Sequence, residues 1–532
     1  MATKDIFNKC IELNKILNNI CIARITVFCL FLLLFLSVPY AHSEQTVIRI
    51  LYLNDFHGFA EPYKPFGSDE NLGGIAYLSA KLNSLRNERD SLLLSAGDMI
   101  QGNNWANLSQ GESVIELINA MKFDAMVLGN HEFDFGQDVL KKLISEAKFP
   151  VLGSNVENLD LVKPYVIKEI AGVKIGIIGV VTDDTPVTTH PRNVAGLTFI
   201  SPEDSAQKYI KELKGRTDII VVLSHIGYSA DRLLPERAEG IDVIVGGHSH
   251  TKVLSPTIIN KTIVLQAWEH AKALGVLDLT IADGRIEKYE GHLEEIRPEL
   301  GKDDKNITAI VEKYQKKVDT VLNETVGEAE ADLDGENVRK RETNLGDFIA
   351  DIIREESGSD IALINGGGIR ASIRKGEIKE KHVYTVLPFD NYIVAVKLSG
   401  RQIREALEHG VSAIEEGAGR FPQVSGLSFT YSRAEKPGSR VKEILIAGNL
   451  IDLNKEYSVA TNDFLAAGGD GYKAFGDAVK SSKDFSIVGG TMKGEKLIYS
   501  DSGRWLRDVV IEYIKGKRII SPAIEGRITE TP

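Results

Sequence analysis

The sequence predicts an α/β protein of two domains joined by one helix, and three observations predict it. From residue 46 to about 300, short apolar, β-branched runs bounded by glycine alternate with helical spacing, as in Ile75, Leu78, Leu82 and Leu85 or Val114, Leu117, Ile118 and Met121. Between 303 and 324 the pattern gives way to a single apolar stripe (Ile307, Ile310, Val311, Tyr314, Val318 and Val321) on an otherwise charged segment. From about 325 to 531 a second mixed region follows. Its helices are predicted around Leu345, Phe348, Ile349 and Ile352 and over 401–414, and its strands around 361–364, 392–398, 426–431 and 457–461. A chain of 532 residues, 43% apolar and 26% charged, supplies core for two domains. The stripe reads either as an interdomain connector or as a helix packed on the first domain.

Residues 1–43 read as a leader outside the fold. Lys4, Lys9, Lys15 and Arg24 precede an apolar stretch over 25–38, with small residues at Ala41 and Ser43. This is a secretory signal pattern, with cleavage after Ser43. An uncleaved anchor is the alternative, and the stretch is short for a span. All three cysteines (Cys10, Cys21 and Cys29) lie in it, so the chain after Ser43 has neither disulfides nor thiolate metal sites. Phe28 before Cys29 is too bulky for a lipoprotein signal. Export to a periplasm or the outside is expected, with no stable membrane anchor after cleavage. The formal charge of −12 excludes a nucleic-acid surface held by phosphate contacts. It does not exclude an anionic substrate, because bound cations reverse the local field.

Five apolar runs of the first half each lead into a residue that can bind a metal. They end at Asn54-Asp55-Phe56-His57, Gly97-Asp98, Gly129-Asn130-His131-Glu132, Ser224-His225 and Gly247-His248-Ser249-His250. Sites in such sheets form beyond the carboxyl ends of strands, so a fold that gathers these ends collects two Asp, one Asn and at least four His. Singly, Asp55 could be a turn residue, Asp98 a helix N-cap and His225 a core histidine. Five in order point to a two-metal centre and hydrolysis, with Asp98 as the best bridging carboxylate. His131 could stabilise a leaving oxygen or protonate it, and Asp134, three residues on, could orient the imidazole. The bland reading of Asp134 is an exposed carboxylate in a helix's first turn.

With these motifs the first half resembles the calcineurin-like metallophosphoesterases. The second half carries Thr343-Asn344-Leu345-Gly346-Asp347, Asn365-Gly366-Gly367-Gly368-Ile369-Arg370, Val386-Leu387-Pro388-Phe389 and Asn462-Asp463-Phe464 through Gly469-Asp470-Gly471. It resembles the C-terminal domain of the secreted 5′-nucleotidases and UDP-sugar hydrolases. The resemblance implies a four-layer β-sandwich flanked by helices over 44–302, a connecting helix or hinge over 303–324, and a substrate-binding α/β domain over 325–532. It implies two divalent metal ions, zinc, manganese or similar. One would be held by Asp55, His57, Asp98 and His250, the other by Asp98, Asn130, His225 and His248, with His131 and Asp134 as the catalytic pair. Many relatives carry Gln or Asn at the position of His250. Arg341 and Arg370 match phosphate-holding arginines, with Arg339 a further candidate. The same resemblance implies that Asn365 would lie beside the base, that Phe389 and Phe464 would sandwich it, and that Asp470 would accept ribose hydroxyls.

The expected activity is phosphate release from nucleoside 5′-monophosphates. A broader hydrolase of UDP-sugars, nucleoside di- and triphosphates, NAD or 2′,3′-cyclic nucleotides is the main rival. Hydrolysis of a sulfur-linked group would leave Phe389, Phe464 and Asp470 without a base or ribose to bind. A nucleotide-binding protein without turnover would not need His131 and Asp134. Base preference and oligomeric state are not legible.

Overall fold

The computed structural model describes residues 5–19, 45–66, 68–299, 301–488 and 491–532. Residues 5–19 form a separate, solvent-exposed helix. The apolar stretch and cleavage point of the expected leader lie outside the described residues. Among the described residues no helix is long and apolar enough to cross a membrane.

All five apolar runs are strands. Thr46–Leu53, Ser91–Ser95 and Ala125–Val127 lie side by side and parallel in one six-stranded sheet. Ile219–His225 and Val243–Gly246 are parallel neighbours in a second six-stranded sheet. The period-two geometry of a strand then divides the second sheet's residues between two cores. Val221, Val243 and Val245 face the first sheet. Val222 and Ile244 face helices Pro202–Leu213 and Tyr228–Arg237. Helices Ile75–Glu88 and Glu112–Met121 cover the other sheet, and the residues predicted for their apolar faces are buried. The result is four layers, helix–sheet–sheet–helix.

The connecting helix, Lys305–Val321, is capped by Asp304, whose carboxylate accepts from the Asn306 and Ile307 N–H groups. It lies on the first domain, burying Ile307, Val311, Tyr314 and Val318, while the Trp105 indole donates to Val311 O at 3.0 Å. Val321, counted in the predicted stripe, is 60% exposed because the helix has reached the edge of its support.

The second domain is built on a five-stranded sheet that includes Ile361–Asn365, Ile393–Ser399 and Glu456–Asn462. Ile361 and Leu363 face one core and Ala362 and Ile364 the other, so both faces are covered. Helix Asn344–Ser357 covers one face; its Thr343 N-cap accepts from Gly346 N–H at 3.0 Å and Gly358 ends it in a left-handed turn. Helices Gly400–Gly410 and Lys473–Lys480 cover the other.

Candidate active site

The strand ends deliver their side chains to two adjoining clusters. Asp55, His57 and His250 form one and Asp98, His225 and His248 the other, with ligand atoms in each within 4.8 Å of one another. Asn130 joins the second, its Oδ1 lying 2.9 Å from His248 Nδ1. Asp98 stands between them, with Oδ2 3.1 Å from His225 Nε2 and 3.8 Å from His57 Nε2. Asp55, His57, Asp98, His248 and His250 all have positive φ, from 50° to 75°. Such backbone costs about 1–3 kcal/mol per residue and persists where surrounding structure enforces it. Gly129 is required for the same closeness, since a Cβ there would overlap Asp98 Oδ1.

Without cations the imidazoles divide between neutral and protonated forms. Burial, then Arg370, holds His57 well below the usual imidazole range, and burial, then His225, brings His248 down to about 3. Burial opposes a charge on His225, but Asp98 outweighs it and lifts the imidazole to about 10. Burial likewise opposes ionisation of Asp98, yet His225 and His131 hold it well below the carboxylate range. His131 sits at the rim, its N–H donating to Asp98 Oδ1 at 2.9 Å and its Nδ1 bonding Asp134 Oδ2 at 2.6 Å.

The second domain closes over this edge. Arg370 Nη2 reaches to 3.1 Å from His57 Nε2, and the Phe389 ring stacks on His131 with centroids 5.8 Å apart. Burial and the facing Arg339 push the Arg370 guanidinium down to about 10, a pair of like charges suited to an anion between them. Asn365 Nδ2 donates to Asp470 Oδ2 at 2.6 Å, and Phe464 packs flat over Gly469, where a Cβ would strike the ring. Phe389 and Phe464 are both half-buried rather than core residues. A single cavity of about 1470 Å³ is lined by Asp98, Asn130, His131, Asp134, His248, His250, Arg339, Asn365, Arg370, Phe389, Phe464 and Asp470. Arg341 does not line it: its more than half-exposed side chain bonds Asp334 Oδ2 at 3.0 Å.

Residues 48–252 match the calcineurin-like phosphoesterase family and residues 323–477 the 5′-nucleotidase C-terminal domain. The human 5′-nucleotidase is 30% identical, over 90% of this chain and 90% of its own. The trifunctional nucleotide phosphoesterase protein YfkN of Bacillus subtilis is 33% identical over 91% of this chain, which spans only 35% of that longer protein. The crystal structure of the 5′-nucleotidase precursor from Thermus thermophilus superposes with a TM-score of 0.81 at 33% identity, covering 92% of this chain and 100% of that one. The chain belongs to the 5′-nucleotidase family. Calcineurin-like members work with two divalent metals, and the donor set here fits them. His57 Nδ1 and His225 Nδ1 donate to the carbonyls of Gln101 and Ala96 at 2.7 and 2.6 Å, so both Nε2 atoms point inward, that of His225 free to bind a cation in exchange for its proton. There His57 Nε2 lies 3.2 Å from His250 Nε2, and the buried His225 Nε2 lies 3.1 Å from Asp98 Oδ2. Imidazoles and carboxylates converging this way call for cations between them, a place the proton on His225 fills until metal ions do.

Four supporting residues of this 5′-nucleotidase family member escape sequence reasoning. The Asn54 amide donates to Asp55 Oδ2 at 2.5 Å while its oxygen accepts from Ala267 N–H. Buried Glu132 accepts from the N–H groups of Asp98, Met99, Ile100 and Gly129, fastening two ligand loops together. Burial, then Asp98, raises its carboxyl to about 7. Glu269 bonds His250 Nδ1 and is itself bonded by Lys272 at 2.6 Å. That ammonium makes Glu269 an orienter of His250 rather than the ligand of a third cation, although His270 lies close by. Thr189 donates to Asp134 Oδ1 at 2.6 Å. Asn54 and Glu132 left a sequence signal, as the first residue of the Asn-Asp-Phe-His segment and the fourth of Gly-Asn-His-Glu; Glu269 and Thr189 left none.

Proposed function

We propose that the chain is exported and releases phosphate from nucleoside 5′-monophosphates. The observation that carries the reading is the shared cavity, in which the metal-ligand edge and the half-buried aromatic pair face one space. Asp55, His57, Asp98 and His250 would hold one divalent cation and Asp98, Asn130, His225 and His248 the other. When bound, the pair supplies an activated water and charge stabilisation for the phosphoryl oxygens. Arg370 and Arg339 hold the phosphate by planar, charge-assisted bonds. Phe389 and Phe464 grip the base by its faces, Asn365 lies at its edge, and Asp470 accepts from the ribose hydroxyls. His131, with Nδ1 engaged by Asp134, presents Nε2 to the leaving ester oxygen and stabilises it or hands it a proton. The basic and apolar leader supports export, and the N-terminal mass of the secreted protein tests it.

The reading is tested by phosphate release from AMP, ATP, UDP-glucose, NAD and 2′,3′-cyclic AMP, with metals supplied and then chelated. Metal-dependent release fastest from AMP is expected; no release from any member would defeat it. The cavity of about 1470 Å³ exceeds the roughly 300–1,000 Å³ of ordinary ligand pockets, which favours one second reading, a hydrolase that also takes larger nucleotides. Residues 303–324 would serve as the hinge, bending where the helix ends at Leu322. A disulfide engineered across the contact of Asn104 with Thr385, 2.9 Å in this closed form, should abolish turnover reversibly. Full activity in the locked form would sink the hinge.

A further inference from the structure

One stretch of the first domain, residues 182–194, touches a metal-ligand residue, the catalytic pair and the nucleoside side of the site. Its Thr188 carbonyl accepts from the Asn130 amide at 3.3 Å, and its Asn193 amide donates to the Asp134 carbonyl at 2.8 Å. Its helical turn Thr185–Thr188 packs on Gly469–Gly471, the turn that carries Asp470. Between these contacts sit two consecutive side chains that point opposite ways. Thr189, 1% exposed, donates to Asp134 Oδ1, the oxygen that His131 does not use. His190 faces the second domain, its Nε2 lying 3.5 Å from Asp463 Oδ2.

We infer that this strap ties nucleoside recognition to the catalytic pair, with Thr189 and His190 as positioning residues. The inference rests on the function proposed above. A carboxylate held through one oxygen can rotate about its bond to Cβ and carry the imidazole with it. A second donor on the other oxygen fixes its plane, and Thr189 Oγ1 is that donor. His190 needs no added proton to pair with Asp463. Its Nδ1 accepts from Arg192 N–H at 3.3 Å, so in the neutral ring the hydrogen sits on Nε2, facing the carboxylate. Asp463 is buried and anchored, its Oδ1 accepting from Tyr392 N–H at 3.1 Å, and it opens the turn Asp463–Ala466 that carries Phe464. Seating a base against Phe464 therefore acts on His190, and the next peptide bond connects that residue to Thr189 and the catalytic pair.

The test compares AMP with phenyl phosphate, a monoester without a nucleoside, on metal-loaded full-length protein whose fold and metal content are checked in each variant. Thr189→Val should lower kcat about tenfold on both substrates with KM within about twofold, because the catalytic pair serves any ester; Thr189→Ser, which keeps the hydroxyl, should recover most of it. His190→Ala should lower kcat/KM about tenfold on AMP and less than about twofold on phenyl phosphate, with His190→Gln partly restoring the AMP rate. Equal activity of Thr189→Val and Thr189→Ser would overturn the role of Thr189. Equal losses on both substrates in His190→Ala would overturn the coupling. Wild-type protein that hydrolyses phenyl phosphate but not AMP would instead defeat the proposed function, while the Thr189 comparison would still be readable on phenyl phosphate.

Discussion

The two sides of the cavity are built on opposite plans. On the metal side, Asp55, His57, Asp98, Asn130 and His225 are at most 2% exposed, and five of the seven expected ligands have left-handed backbone. Their rings and loops are tied to main-chain groups by His57, His225 and Glu132. On the nucleoside side, Phe389, Phe464 and Arg370 are half-buried, and only Asp470 carries positive φ, at 51°. The difference follows from what each side must do. Cations held a few ångströms apart tolerate little play in their ligands, so strain and buried bonds fix them before substrate arrives. Under the proposed function a base stacked between rings would be recognised by its faces, which would tolerate sliding and a domain that opens.

If the metal side is rigid because both cations share Asp98, Asp98→Asn should have the largest effect. It should cut kcat/KM about a thousandfold and lower bound metal below two ions per chain by elemental analysis. A variant that kept both metals and activity would make the two clusters independent. On the adaptable side, Phe464→Ala should raise KM for AMP about tenfold to a hundredfold, with kcat less affected, since stacking is worth about 1–3 kcal/mol per base. A loss confined to kcat would show that the ring orders the catalytic pair rather than holding the base.

The same contrast governs how much could be read from the sequence. The metal side was legible because each ligand lies within a few residues of an apolar run, and a run that ends in Asp or His signals both strand and site. Its supports were not, because they are joined through space. Glu269 is 19 residues from His250 and Thr189 is 55 from Asp134, with neither in a periodic segment. On the nucleoside side, helix Asn344–Ser357 and strand Ile361–Asn365 were visible from periodicity. Phe389 and Phe464, however, stand on turns where an aromatic has no spacing to betray it, so their roles came from resemblance alone. Arg341 shows the cost: the resemblance implies a phosphate ligand, while the side chain turns away to Asp334.

A smaller effect probes how the metal side is held. Glu269 fixes the ring of His250 through Nδ1, and such partners are worth about tenfold to a hundredfold in metal affinity. Glu269→Gln should weaken one of the two cations about tenfold in chelator competition and leave the other bound. Equal weakening of both would mean that the clusters respond as one unit.

The smallest effect concerns how each domain buries a carboxylate. Asp98 is surrounded by imidazoles and suited to cations. Asp347, 2% exposed in the second domain, shares a hydrogen bond with neighbouring Glu342 and sees Arg527 only at 4.0 Å. Burial, then Glu342, raises it from the ordinary carboxylate range to about 8, so the folded chain keeps a proton that the unfolded chain has lost above pH 4. At this group the folded state then binds more protons than the unfolded one, and the stability that Asp347 contributes falls as pH rises from about 4 through about 8. Asp347→Asn keeps the shape without the titration. Its Tm should decline less than that of the parent between pH 5 and 8, by a few degrees, at about 2–4 °C per kcal/mol for a domain this size. Parallel Tm curves for the two proteins would show that Asp347 is ionised in the fold and that Arg527, despite its distance, neutralises it.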